Sequence, residues 1–137
     1  MAMRRSPVLI LLLIGLGTGI TLHPAIALEA SEILSPAELE SAMMELPGWE
    51  TDGQSLTCTY QFPGFVQSVA FVSQLVEPAE RLGHHPDITI NYNRVSLVLT
   101  THDAGGLTEL DIDLAQQIST IASTAVEGGT CLRSPIP

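Results

Sequence analysis

Past an uncharged N-terminal run, apolar positions along this chain switch repeatedly between a helical and an alternating spacing. Ser35-Pro36-Ala37-Glu38 is a helix start: Ser35 can cap, Pro36 suits the first helical position, and Glu38 completes a capping box. That helix is expected to reach about Leu46 and to stop before Pro47-Gly48. Trp49 and its neighbours read as a short strand, followed by the turn signal Asp52-Gly53. Over residues 55–62, Leu56, Cys58, Tyr60 and Phe62 alternate on one face, and Pro63-Gly64 ends the strand. From Phe65 the period lengthens, placing Phe65, Val69, Val72, Val76 and Ala79 on one helical face. Pro78 removes a hydrogen bond to the Gln74 carbonyl and predicts a bend, while Gly83 is a C-terminal stop.

Two further strands follow. Ile88, Ile90 and Tyr92 alternate, then Val95, Leu97 and Leu99, with Asn93 near the turn between them. The second strand ends at Thr101-His102-Asp103, and Ala104-Gly105-Gly106 forms a flexible connection. Thr108 caps a last helix with Asp111 three residues on, and Leu114, Ile118 and Ile121 face the core. The order α-β-β-α-β-β-α, joined by short hairpins, predicts an α+β fold. Its four-stranded antiparallel sheet has helices packed on one face.

The first residues do not belong to that fold. Arg4 and Arg5 precede an uncharged stretch over 6–28 with an apolar heart at 8–20, and Ala25-Ile26-Ala27 provides the small residues of a cleavage site. This describes a signal peptide over 1–27, the rival being an uncleaved membrane anchor. A linker over 28–33, a domain over 34–124 and a C-terminal tail over 125–137 complete the division. The expected location is an exported one: periplasm, thylakoid lumen or outside the cell. N-terminal sequencing of exported protein is expected to begin at Leu28; an intact Met1 would exclude cleavage.

Charge narrows the partners. The chain has 5 Lys+Arg against 15 Asp+Glu, a formal charge of −10. A surface of that sign repels phosphate backbones, which argues against nucleic acid. It also argues against anionic lipid, so any membrane contact is expected through the leader alone. Export makes pairing of Cys58 and Cys131 an option, although Cys58 also reads as a buried thiol in its strand.

Three histidines remain after the leader: His84 and His85 just before the third strand, and His102 at the end of the fourth. An antiparallel return brings the start of one strand to the end of the other, so the three are expected to meet at one sheet end. Pro86 restrains His85 to an extended conformation, and successive side chains there point apart. Imidazoles suit general acid–base chemistry near neutral pH. Three can also ligate zinc, but adjacent histidines rarely aim both rings at one ion, so no metal is expected.

The run Glu80-Arg81-Leu82-Gly83-His84-His85-Pro86, then Tyr92, His102 and Asp111, resembles the spaced signature of the pterin-4a-carbinolamine dehydratases. Leu46-Pro47-Gly48-Trp49 and the run from Thr101 to Thr108 are similar to that family as well. The resemblance implies a lyase without a cofactor that removes water from a 4a-hydroxytetrahydropterin to give the quinonoid dihydropterin. It assigns His84 and His102 to proton transfer and His85 to binding or orienting the ring. Pro86, Thr101 and Asp103 would border the pterin, Glu80 would orient a histidine, and Trp49 would either close the pocket or lie in the core. A homodimer or homotetramer is implied too. The alternative within the same fold is a non-catalytic module that binds pterin or assembles other proteins. Gly83 departs from the pattern, standing where many members carry a polar residue, and the tail has no counterpart.

Overall fold

A computed structural model describes residues 32–125 and 131–132. The expected leader and most of the tail lie outside the described residues. Among the described residues no helix is long and apolar enough to cross a membrane.

The first helix, α1 (Pro36–Met44), starts where Ser35 and Glu38 predict it. The Glu38 carboxylate accepts from the Ser35 N–H at 2.8 Å, and the Ser35 hydroxyl accepts from the Glu38 N–H at 3.4 Å. Both orphan ends of the first turn are thereby satisfied. Strands β1 (Glu50–Thr51) and β2 (Leu56–Gln61) form one hairpin, and β3 (Asp87–Asn91) and β4 (Arg94–Leu99) the other. The sheet order is β1-β2-β4-β3, antiparallel throughout.

Alternation sets the two faces of the sheet. Leu56, Cys58 and Tyr60 of β2 and Val95, Leu97 and Leu99 of β4 are buried under the helices. Thr57, Thr59, Ser96 and Val98 lie half-buried on the opposite face. The edge strand β3 is exposed along its whole length. Helix α4 (Glu109–Ala125) lays Leu114, Ile118 and Ala122 on the core, and its Ser119 hydroxyl accepts from the Trp49 indole N–H at 2.9 Å. Trp49 therefore occupies the core, the second of the two positions its sequence context allows.

The expected helix after Phe65 is two helices, α2 (Phe65–Gln74) and α3 (Val76–Leu82), joined at Leu75. The break falls where Pro78, having no N–H, cannot donate to the Gln74 carbonyl, and Pro78 sits in the first turn of α3, where no such bond is needed. The buried face of α2 also differs from the expectation. Ser68, Phe71 and Leu75 turn inward, while Phe65, Val69 and Val76 are exposed. Apolar residues surround α2 on nearly every side, so periodicity alone could not choose its face. Ring packing chooses it: Phe71 meets Tyr60 at 5.3 Å and Phe62 at 4.8 Å between centroids.

Cys58 and Cys131 are joined by a disulfide with 5.3 Å between their Cα atoms. Next to it, the Leu132 N–H donates to the Thr59 carbonyl at 2.7 Å.

Candidate active site

The candidate site is built where α3 hands over to β3. Gly83 closes α3 in the left-handed conformation, φ +61°. The Gly83 N–H donates to the Glu80 carbonyl at 3.2 Å, and the His84 N–H reaches back to the Ala79 carbonyl at 3.1 Å. This pair of bonds is a Schellman closure, for which glycine is the favoured residue. The left-handed turn thus gives position 83 a conformational reason to be glycine.

That turn sends the two histidines opposite ways. His84 goes inward and is 8% exposed. Its Nε2 lies 2.7 Å from Oδ1 of Asp111, a residue with no exposure at all. The other carboxylate oxygen, Oδ2, accepts from the Thr108 N–H at 2.8 Å and the Thr101 hydroxyl at 2.8 Å. The Thr101 hydroxyl has one hydrogen and spends it on Asp111, so the Thr108 hydroxyl, 2.8 Å away, donates to Thr101. An acceptor-only carboxylate makes His84 Nε2 the donor, so that in the neutral ring Nδ1 is the nitrogen without a proton.

Asp111 consequently serves two structures at once. As the third residue of α4 it caps the helix through the Thr108 N–H, and with its other oxygen it fixes the His84 ring. A buried carboxylate is tolerated only when it is hydrogen-bonded, as both oxygens of Asp111 are here. Among the described residues no buried side-chain nitrogen or oxygen lacks a partner.

Thr101 connects this network to His102, the next residue. The turn carrying His102 is closed by the Thr101 N–H on the Gly106 carbonyl at 3.0 Å and the Gly105 N–H on the His102 carbonyl at 3.1 Å. Gly105 takes a left-handed conformation, φ +75°. His102 and Asp103 are exposed on that turn. The register Asp87↔Val98 sets the residues before β3 beside those after β4.

His85 faces away from this network. Its Nε2 is 2.9 Å from Glu80 Oε1, and both side chains are well exposed, so the pair orients the ring but adds little stability. His85, Glu80 and Pro86 border a cavity of about 160 Å³ between α2, α3 and β3, whose apolar floor includes Val72, Leu75 and Ile88. His84 and His102 do not line it. The structure therefore gathers His84, Thr101 and the His102 turn around Asp111, and sets His85, Glu80 and Pro86 on an adjoining groove. Trp49 belongs to neither group, being held in the core by Ser119.

Asp111 is the residue that sequence reasoning named without giving it a place in the site. It stands in the signature and at the cap position, but its bond to His84 spans 27 residues and needs the tertiary fold. Among the described residues no group of three His, Cys, Asp or Glu is placed to hold a metal ion.

Comparison with known proteins follows the same lines. The sequence model of the pterin 4 alpha carbinolamine dehydratase family matches residues 32–121, and the chain belongs to that family. It is 53% identical over 92 residues to a Thermosynechococcus vestitus protein whose name proposes pterin-4-alpha-carbinolamine dehydratase activity, covering 67% of this chain and 97% of that one. A Thermomicrobium roseum protein named in the same way is 52% identical over 90 residues, 66% of this chain and 97% of its own length. Among solved structures, a Brucella melitensis protein described as a transcriptional coactivator/pterin dehydratase superposes with a TM-score of 0.63 at 38% identity. That match covers 66% of this chain and 99% of the other.

Proposed function

We propose that this protein is a 4a-hydroxytetrahydropterin dehydratase working by histidine acid–base catalysis. The observation that carries the reading is the Asp111 network, which fixes the His84 ring beside the turn bearing His102 in a member of this family. The reaction breaks the C4a–O bond. One imidazolium gives the departing hydroxide a proton, and an imidazole takes a proton from a ring N–H as the new double bond forms. Water and the quinonoid dihydropterin result, with atoms and charge balanced and no cofactor required. His84 and His102 are the proposed proton carriers, with Nδ1 of His84 as the nitrogen free to accept.

His85, oriented by Glu80, is the proposed binding residue, with the flat ring lying along Pro86 toward the groove and Thr101 and Asp103 at its other border. Apolar walls with a few polar groups at the rim suit a heteroaromatic ligand of this kind. Calorimetry with a stable oxidised pterin tests the placement. The full chain is expected to bind it, and His85→Ala is expected to weaken binding about tenfold, the scale of one lost contact of about 1.4 kcal/mol. No measurable binding, or unchanged affinity in His85→Ala, would remove His85 and its groove from the site.

A further inference from the structure

The family match ends at residue 121, yet the chain returns to the domain beyond it at Cys131 and Leu132. Where it returns is informative. Strand β1 is two residues long and pairs only with Leu56 and Thr57, leaving the rest of that β2 edge without a β1 partner. Leu132 pairs with Thr59 on that edge. Exposed strand edges invite pairing with other chains and are commonly covered.

The disulfide fixes this short piece in place. Cys131 and Cys58 are both buried, and Cys131 belongs to the same apolar cluster as Leu46 and Trp49. It also lies close against the loop ahead of Trp49: a Cβ added at Gly48 would stand 2.9 Å from the Cys131 Cβ. Gly48 has φ +90°, so glycine there serves both the turn and the close approach. Cross-linking residues 73 apart also removes much of the freedom of the unfolded chain.

We propose that Cys131 and Leu132 form a redox-locked strap, sealing the free edge of β2 and the core beside Trp49, and that a dithiol reductant unlocks it. The unlocking step is thiol–disulfide exchange. A thiolate of the dithiol attacks one sulfur of the Cys58–Cys131 bond, giving a mixed disulfide and releasing the other cysteine. The second thiol of the reductant then displaces the first cysteine. Two electrons and two protons pass to the protein, and the reductant leaves as a disulfide. Because both sulfurs are buried, the attack waits on local opening of the strap. An oxidising compartment keeps the lock closed, while a reducing one leaves the β2 edge open to another strand.

Hydrogen exchange and thermal melting of the full chain, oxidised and after dithiothreitol, test the proposal, with alkylation confirming two free thiols. Reduction is expected to speed exchange of the Leu132 amide by about 100-fold or more while amides of β4 and α4 stay protected. The melting temperature is expected to fall by roughly 10 °C or more. Cys131→Ser should reproduce both changes and no longer respond to dithiothreitol. Should that variant fail to fold, the reduced parent alone decides. Unchanged Leu132 exchange after confirmed reduction would overturn the strap. Loss of protection everywhere at once would overturn it as a separable element. Resistance to the dithiol under native conditions would overturn the unlocking.

Discussion

His102→Ala is expected to lower the rate of pterin dehydration by about 10²–10⁴-fold, the usual contribution of one positioned acid or base. Its fold should be untouched. His102 is exposed on its turn and makes no side-chain hydrogen bond among the described residues, so removal should change stability by no more than about 0.5 kcal/mol. A comparable loss of activity is expected in His84→Ala, but for a compound reason. That change removes the proposed proton carrier and also leaves the buried Asp111 carboxylate one donor short. The pair of variants therefore separates chemistry from stability. Rate assays and melting curves on both check it: an active His102→Ala would remove that histidine from the mechanism, and an active, folded His84→Ala would remove the other.

Asp111→Ala carries the largest expected cost to stability, about 3–5 kcal/mol, because several buried donors are left unsatisfied at about 1–3 kcal/mol each. Three donors lose their acceptor together: His84 Nε2, the Thr101 hydroxyl and the Thr108 N–H at the start of α4. Asp111→Asn separates positioning from folding. Its carbonyl can still take the Thr108 and Thr101 bonds, and its amide N–H₂ then faces His84 Nε2. Two donors cannot share that bond, so the ring must take the other tautomer and lose the free Nδ1 lone pair. The expected result is a folded protein with a much reduced kcat and a KM near that of the parent. A variant as active as the parent would show that Asp111 serves the helix cap alone.

Much of this was legible in the chain because local rules and tertiary structure agree. Ser35 and Glu38 set the start of α1, Thr108 and Asp111 the start of α4, and two alternating runs gave a hairpin whose ends had to meet. The side chains of His84 and His85 diverge, as successive residues of an extended segment are expected to do. Three matters were not legible, each for a physical reason. The buried side of α2 is selected by Phe71 packing against the Tyr60 and Phe62 rings, which no periodicity reports when apolar residues ring the helix. The second task of Asp111 depends on a partner 27 residues away. Cys131 was nameable as a partner for Cys58, but whether the two pair was open, because Cys131 lies beyond the matched residues on a piece of chain whose route no local pattern fixes.

The most direct test of the histidine site is the rate of water loss from a 4a-hydroxytetrahydropterin, generated in place and followed by absorbance, with and without the purified full chain. The network of His84, Asp111 and Thr101 beside His102 predicts dehydration well above the spontaneous rate, in proportion to protein added. A rate indistinguishable from the spontaneous one, in folded protein, would contradict it.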